Sequence, residues 1–293
     1  PLQQFNAAGV LEPADVHAAM AVGRLLGEAG PRVLLAAALA VRGTRLGHIL
    51  VHLPTVQETI VLEEREPGGI EALPWPPPAA WLAAVEASPL CGRGEPSRPL
   101  VLTGEHLYLQ RYWRYEQDLA HALRERAKEA PLPIDAWQAR LEQIAAVPDA
   151  RDPDQLQAMT RALTQRLTVT TGGPGTGKTE TVARLLAVLV AVASDTGQPL
   201  PAIAVATPTG KAAAVLKGKL QAAAETLPLP TEASAHLRRV ECSTIHRLLG
   251  QGTRRSPLGH GQRHLLPHDF VVVDEMSMVP LSLAARLVLA IRP

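Results

Sequence analysis

A glycine-rich stretch near the middle of the chain constrains the fold more than any other feature. It reads Gly172-Gly173-Pro174-Gly175-Thr176-Gly177-Lys178-Thr179 and matches the pattern G-x-x-x-x-G-K-[ST]. The β-branched run 167–171 before it predicts a short strand, and the apolar run 179–193 after it predicts a helix. A strand, a glycine-rich turn and a helix are the context of a phosphate-binding loop. The sequence therefore predicts an α/β domain that binds a nucleotide.

The residues of this loop have separate expected roles toward ATP and Mg²⁺. Glycines let consecutive backbone N–H groups point into one concavity, and the helix that follows adds its positive N-terminal end. Lys178 is expected to reach the β- and γ-phosphates and to assist catalysis, while the Thr179 hydroxyl is expected to ligate Mg²⁺. The predicted ATP-binding residues of the loop region are Gly172, Gly173, Pro174, Gly175, Thr176, Gly177, Lys178, Thr179 and Glu180.

Length and charge favour a globular protein of about two domains with a polyanionic partner. The chain has 293 residues, of which 46% are hydrophobic and 19% are charged. The net charge of +1 hides an asymmetry between the two halves. Residues 1–150 hold 13 Lys and Arg against 18 Asp and Glu, whereas residues 151–293 hold 16 against 10. A basic second half is mild support for binding to nucleic acid.

Cysteine usage and hydropathy restrict the compartment. Cys91 and Cys242 lie far apart without C-x-x-C spacing, which argues against a disulfide framework or a zinc site and favours a reducing cytoplasm. The apolar runs 33–41 and 185–193 are too short to span a bilayer, so no membrane is expected among the partners. The chain begins at Pro1 without a methionine and is expected to be trimmed.

Residues 1–115 are predicted to form a smaller mixed α+β domain that docks protein partners. Helical periodicity covers 12–28 and 32–42, short strands are predicted near 49–53, 59–62, 100–102 and 106–109, and no catalytic chemistry is recognisable. Residues 116–150 are predicted to be a helical linker. The aromatic residues at the end of this half either stack on bases or belong to the core, which their helical spacing favours. They are Tyr108, Tyr112, Trp113 and Tyr115.

The second half alternates short apolar strands with helices. Strands are predicted at 202–206 and 270–273, with helices over 212–226 and from Leu281 onward. This alternation predicts a parallel sheet covered by helices on both faces. Ligands of such sheets bind beyond the carboxyl ends of the strands. The glycine-rich loop, the stretch 207–211 and the pair Asp274-Glu275 all fall at that edge.

The two carboxylates divide the chemistry of hydrolysis between them. Asp274 is expected to hold Mg²⁺ through its water shell, and Glu275 to orient and deprotonate the attacking water. A second carboxylate beside the first favours a hydrolase over a kinase or a switch. An acidic loop at the end of a strand is the alternative interpretation. Met276 and Met278, which follow, are predicted to be packing residues.

Five successive stretches of the second half resemble motifs of the RecD helicases, superfamily 1 motors that move 5′ to 3′ on single-stranded DNA. They are 154–158, 172–179, 207–213, 243–250 and 273–278. The resemblance covers residues 151–293 almost continuously. The stretch 98–113 is similar to the N-terminal domain of the RecBCD member of this family, and the short run before the glycine-rich loop favours that member over the longer stand-alone relatives.

The resemblance implies a RecA-like motor domain, helicase domain 1A, over residues 151–293. It implies ATP and Mg²⁺ as cofactors, single-stranded DNA at a duplex end as substrate, and RecB-like and RecC-like subunits as partners in double-strand break repair. Gln155 matches the adenine-reading glutamine of the family. The residues that the resemblance marks for DNA contact are Thr207, Pro208, Thr209, Lys211, Thr244 and His246.

Arg247 joins these DNA candidates from a basic segment. Residues 236–264 hold six arginines and four histidines against one glutamate. Such a segment is either a surface that tracks phosphates or a solvated loop. His246 is not expected to bind a metal, because no second ligand is spaced for it.

Several functions compete at this point. The resemblance favours a DNA-dependent ATPase subunit, with a stand-alone helicase or a nucleotide-binding structural subunit as alternatives; a P-loop hydrolase without nucleic acid is weakened by the stretches 207–213 and 243–250. No counterpart of the Gly-Asp-x-x-Gln motif or of a second RecA-like domain with its arginine finger precedes Pro293. Arg184 and Arg286 are predicted to point away from the nucleotide. Residues 1–293 alone are therefore expected to hydrolyse little ATP.

Overall fold

The computed structural model describes residues 2–60, 69–93, 95, 97–132, 134–145, 152–173, 175–250 and 260–292. The chain divides into two compact units, Pro1–Gln117 and Asp118–Pro293. The predicted boundaries at residues 115 and 150 stay predictions.

The first unit combines helices with a small mixed sheet. Its helices are α1 (Leu2–Ala7), α2 (Pro13–Leu26), α3 (Pro31–Arg45) and α4 (Pro78–Glu86), its strands are β1 (Val51–His52), β2 (Cys91–Gly92), β3 (Leu100–Thr103) and β4 (His106–Leu109), and short 3-10 helices cover Leu53–Thr59 and Ile70–Ala72. The strand order is β1-β4-β3-β2. The β2–β3 pair is parallel and the other two pairs are antiparallel. The predicted α+β character is therefore confirmed.

Local sequence explains how the first unit begins. Pro13 occupies the first turn of α2, where its missing N–H costs nothing, and Glu12 forms a capping box with Asp15. The helix ends at Gly27, whose φ of +72° is left-handed. The alanine-rich helix α3 is buried along most of its length. Of the predicted strand 59–62, Thr59 lies in a 3-10 helix and residues 61–62 lie outside the described residues.

The aromatic cluster at the end of the first unit is only partly core. Tyr108 on β4 is buried, as the core interpretation expects. Tyr112, Trp113 and Tyr115 are half-buried.

The second unit contains a parallel sheet with helices. Its helices are α5 (Gln110–Lys128, which begins in the first unit), α6 (Asp135–Ala145), α7 (Pro153–Thr164), α8 (Lys178–Asp195), α9 (Gly210–Thr226), α10 (Thr231–Arg239), α11 (Ile245–Leu248) and α12 (Leu281–Ala290), its strands are β5 (Ile203–Thr207), β6 (Glu241–Thr244) and β7 (Phe270–Val273), and Met276–Met278 is a 3-10 helix. The strand order is β6-β5-β7, and both pairs are parallel.

Apolar cores lie on both faces of this sheet. Successive side chains of a strand point to opposite faces. Ile203 and Val205 of β5 accordingly pack in one core with α8, α9 and α10. Ala206 packs in the other core with α11 and α12. This arrangement confirms the predicted parallel sheet with helices on both faces.

Two strand predictions in this unit need correction. The segment 167–171 has β-branched residues but forms no strand. Three of its residues, Leu167, Thr168 and Thr170, line a cavity of about 580 Å³ together with the whole of β7, and no ladder joins the two segments across it. β-Propensity does not make a strand without a partner backbone. Conversely, β6 was not predicted, because its sequence Glu-Cys-Ser-Thr is polar and the strand lies at the edge of the sheet.

Among the described residues, none of the helices combines the length and the apolar character needed to cross a membrane.

Candidate functional site

The glycine-rich loop turns directly into helix α8. Gly175 and Gly177 have φ values of +77° and +75°, which favour glycine over residues with a side chain. A Cβ placed on Gly177 would lie 2.7 Å from Nε2 of Gln155, so a side chain there would displace this amide from the loop. The turn leads the chain into the positive N-terminal end of an 18-residue helix, where anions bind favourably. Pro174 lies outside the described residues.

The ammonium group of Lys178 is bonded to its own loop. Nζ donates to the carbonyl oxygens of Gly172 and Gly173, both at 2.7 Å. The Thr176 hydroxyl also donates to the Gly173 carbonyl at 2.9 Å. Phosphate oxygens are stronger acceptors for an ammonium than neutral carbonyls. The loop can therefore bind phosphate if Lys178 exchanges these carbonyls for phosphate oxygens.

The N-terminus of α8 and the carboxyl end of β7 bring together two oxygen groups that could ligate a metal. The Thr179 hydroxyl donates to Oδ2 of Asp274 at 3.2 Å. A hydroxyl and a carboxylate are ligands suited to Mg²⁺, which usually keeps several waters and shares phosphate oxygens. Within the described ranges, no group of three or more His, Cys, Asp or Glu side chains could hold a metal. The pair fits a Mg²⁺ held jointly with a nucleotide and not a protein-only metal centre.

Glu275 follows immediately and has an unusual backbone. Its φ of +56° is left-handed, and its N–H donates to Oδ1 of Asp274 at 2.9 Å. The carboxylate is exposed at the edge of the sheet, one residue from the Mg²⁺ candidate. Met276 and Met278 are 41% and 61% exposed, so the prediction that they are packing residues is wrong. They belong to the short 3-10 turn that this edge presents to solvent.

Sequence reasoning missed a group of contacts behind the loop. Gln155 Nε2 donates to the Thr176 carbonyl at 3.2 Å. The guanidinium of Arg184, predicted to point away from the nucleotide, is buried and donates to Gln155 Oε1 at 3.4 Å. Arg184 Nε and Lys219 Nζ lie 3.6 Å and 3.2 Å from the two carboxylate oxygens of Glu180. The i,i+4 spacing of Glu180 and Arg184 was the available signal.

Four of the predicted DNA-contact residues lie between the end of β5 and the first turn of α9. Thr207 is buried and its hydroxyl donates to the Thr209 carbonyl at 2.7 Å, so its side chain supports the turn. The Thr209 hydroxyl accepts from the N–H of Ala212 at 3.3 Å and caps α9. Pro208 is half-buried and Lys211 is exposed.

The turn after β6 lies beside it. Thr207 and Thr244 are partners in the parallel register, which places the two turns at the same edge of the sheet. The Thr244 hydroxyl caps α11 by accepting from the N–H of Arg247 at 3.3 Å. His246 and Arg247 are exposed. Of the predicted basic segment, Arg254 and Arg255 lie outside the described residues.

Other titratable groups have perturbed pKa values without forming a second site. Burial, followed by the charge of His260, lowers the pKa of His268, which lines the cavity beside β7. Burial is also the main cause that raises the pKa values of Cys91 and Cys242, and both cysteines are free. A raised pKa keeps a thiol protonated and unreactive at neutral pH. Arg286 donates to the His260 carbonyl at 3.2 Å.

Two family models match the chain. Residues 155–293 match the model described as an AAA domain, and residues 7–108 match the model described as the N-terminal domain of the RecBCD enzyme subunit RecD.

Full-length relatives show the same similarity. The RecBCD enzyme subunit RecD of Mycolicibacterium smegmatis is 43% identical over 98% of this chain and 48% of that protein. Its counterpart in Mycobacterium tuberculosis strain H37Rv is 42% identical over 100% of this chain and 48% of that protein. The ATP-dependent RecD2 DNA helicase of Deinococcus radiodurans is 30% identical over 90% of the chain and 33% of that protein. The chain thus spans about half the length of the RecD subunits that it matches.

Proposed function

The chain belongs to the RecD family, and from this premise we propose that the protein is an ATP-driven motor that moves 5′ to 3′ on single-stranded DNA. The observation that carries the proposal is the convergence at one sheet edge of Lys178, the Thr179–Asp274 pair and Glu275. The turns after β5 and β6 lie at this same edge. Nucleotide chemistry and a surface for DNA are thereby adjacent.

The residues of the loop and of β7 have complementary roles in this proposal. Lys178 and the loop N–H groups would bind the phosphates, and Thr179 and Asp274 would hold a Mg²⁺ that supplies positive charge against them. Glu275 accepts a proton from the attacking water. Gln155 matches the adenine-reading glutamine of the family and takes that role in this proposal; its amide lies against the loop, where Nε2 donates to the Thr176 carbonyl.

The adjacent turns are proposed to bind the DNA. Lys211, His246 and Arg247 are exposed and supply donors and positive charge for backbone phosphates. Thr209 and Thr244 cap α9 and α11, and the N–H groups at the N-terminus of the 17-residue helix α9 also favour phosphate. Thr207 contributes by holding the turn from beneath, and Pro208 by its shape.

The match of residues 7–108 to the N-terminal domain of a RecBCD subunit favours a subunit over a stand-alone helicase. The proposed partners are RecB-like and RecC-like subunits, in a cytoplasmic complex that acts at DNA ends. Residues 1–115 are proposed to dock these partners, and residues 151–293 to form the first motor domain. Residues 116–150 are proposed to link these two domains.

ATP turnover in the full-length protein with its partner subunits tests the proposal. We expect single-stranded DNA to stimulate turnover, and Glu275→Gln to retain ATP binding while turnover falls by at least ~10². Glu232→Gln, at an exposed glutamate of α10, is the matched control and should be neutral.

ATP turnover that single-stranded DNA does not stimulate would favour a hydrolase that acts independently of nucleic acid. ATP binding without turnover in the intact assembly would favour a structural subunit. Normal turnover by Glu275→Gln would remove Glu275 from the mechanism while leaving the motor proposal in place.

A further inference from the structure

Arg184 is a charged side chain in an apolar helix. It lies on α8 with 7% of its surface exposed, among residues that form the main core of the second unit. Burying a guanidinium is unfavourable unless polar partners compensate for the lost hydration. Its described partners are the carboxylate of Glu180 and the amide oxygen of Gln155. The side chain is therefore directed toward the back of the glycine-rich loop.

These contacts determine which way the Gln155 amide faces. A guanidinium can only donate hydrogen bonds, and a backbone carbonyl can only accept them. Oε1 accepts from Arg184 at 3.4 Å, and Nε2 donates to the Thr176 carbonyl at 3.2 Å. The flipped amide would set NH₂ against the guanidinium and oxygen against a carbonyl. Both partners therefore select the same orientation, and the close approach to Gly177 restricts the amide further.

Amide orientation matters for reading a base. Adenine presents an N6–H donor beside the N7 acceptor, which a glutamine amide can pair with through its oxygen and its nitrogen. Guanine presents two acceptors, O6 and N7, at the same places. After its contacts with Arg184 and Thr176, the Gln155 amide still has one lone pair and one N–H available. A fixed amide can discriminate between the two bases, whereas an amide that flips freely discriminates less.

We propose that Arg184 is a positioning residue that fixes the Gln155 amide for adenine recognition. The inference rests on the proposed function, in which Gln155 reads the base of a bound nucleotide. Arg184 itself touches neither the base nor the phosphates in this role. Its contribution is to increase the affinity for ATP relative to the affinity for GTP.

The test measures the Kd values of ATP, GTP and inorganic tripolyphosphate in the full-length protein with its partner subunits. Arg184→Met keeps an unbranched apolar stem in the buried site and removes the hydrogen-bond donors. We expect its ATP affinity to fall about tenfold, which corresponds to the loss of one hydrogen bond. The affinities for GTP and tripolyphosphate should stay within about twofold of wild type. Arg184→Lys should restore part of the preference. Lys219→Met, which removes a partner of Glu180 but not of Gln155, is the matched control.

A double-mutant cycle separates the possible outcomes. In a Gln155→Ala background, Arg184→Met should no longer change the ratio of ATP to GTP affinity. An unchanged ratio in Arg184→Met alone overturns the inference, as does an equal loss for ATP and tripolyphosphate, which would assign Arg184 to the phosphate loop. Failure of the wild-type assembly to bind ATP or tripolyphosphate would instead refute the proposed function.

Discussion

Glu275 adopts a backbone conformation that glutamate seldom has. Left-handed φ brings Cβ close to the carbonyl oxygen and costs about 1 kcal/mol in a residue that has a side chain. The conformation persists here with the Glu275 N–H donating to the Asp274 carboxylate. Strained residues of this kind concentrate at functional sites. The strain at Glu275 lowers stability and is consistent with the proposed catalytic role, which depends on where the carboxylate lies.

Replacing this glutamate by glycine should therefore raise stability and remove activity. We expect Glu275→Gly to increase the free energy of unfolding by about 0.5 to 1 kcal/mol, because glycine adopts positive φ without strain. Turnover in the full assembly should fall by at least ~10². Urea denaturation and ATP hydrolysis measure the two effects. Glu232→Gly, in the first turn of α10, is the control and should destabilise, so a loss of stability at both positions would contradict the argument.

At the level of the elements, β5 is paired on both sides, with β6 and β7, whereas among the described residues β7 is paired with β5 on one side only. The N–H of Phe270 donates to the carbonyl of Ala202, just before β5, at 3.2 Å, and the N–H of Asp274 donates to the carbonyl of Ala206 in β5 at 3.0 Å. In a parallel ladder, every second residue of a strand donates toward the same neighbour. The N–H groups of Val271 and Val273 must therefore point away from β5, toward the side on which the cavity lies.

Hydrogen exchange should reveal this difference within a single strand. We expect the amides of Val271 and Val273 to exchange at least ~10-fold faster than that of Val272, which faces β5. Residue-resolved exchange of chain 1–293 gives the measurement, and Val205 in the central strand provides the slow reference. Equal protection of all three valines would mean that another segment pairs with this edge of β7.

The elements also show where sequence reasoning succeeds. Long apolar runs identified α8, β5, β7 and α12, because burial on one or two sides leaves a clear pattern. Such a pattern does not show whether a segment has a partner strand, which is why the segment 167–171 was wrongly predicted to be a strand. The pairing of Gln155 with Arg184 was also out of reach, since two helices bring together residues 29 positions apart. The catalytic candidates, by contrast, lie within local motifs.

On the scale of the whole molecule, the two units have separate cores. The buried residues of the first core lie between Leu2 and Leu107. Those of the second unit lie between Leu141 and Ala290. Each unit therefore buries apolar surface of its own, as an independently stable domain must.

Deleting residues 1–109, which leaves helix α5 whole, should separate docking from nucleotide binding. We expect the full-length protein without these residues to bind ATP with a Kd within a few-fold of wild type. The glycine-rich loop and β7 belong to the second unit, whose core the deletion leaves intact. Co-purification with the RecC-like subunit should be lost, as proposed for the first unit. Retained co-purification would place the docking surface elsewhere, and lost ATP binding would show that the second unit depends on the first.

The bonds from Lys178 to the Gly172 and Gly173 carbonyls have a kinetic consequence. Phosphate must displace these carbonyls, so the observed rate of nucleotide association should level off at high concentration, where the exchange becomes limiting. The carbonyls are tethered to the same chain, and their effective concentration does not change on dilution. In the proposed ATPase cycle, they would compete for the ammonium group after each hydrolysis step. The loop thus contains its own competitor for the phosphate, which favours product release.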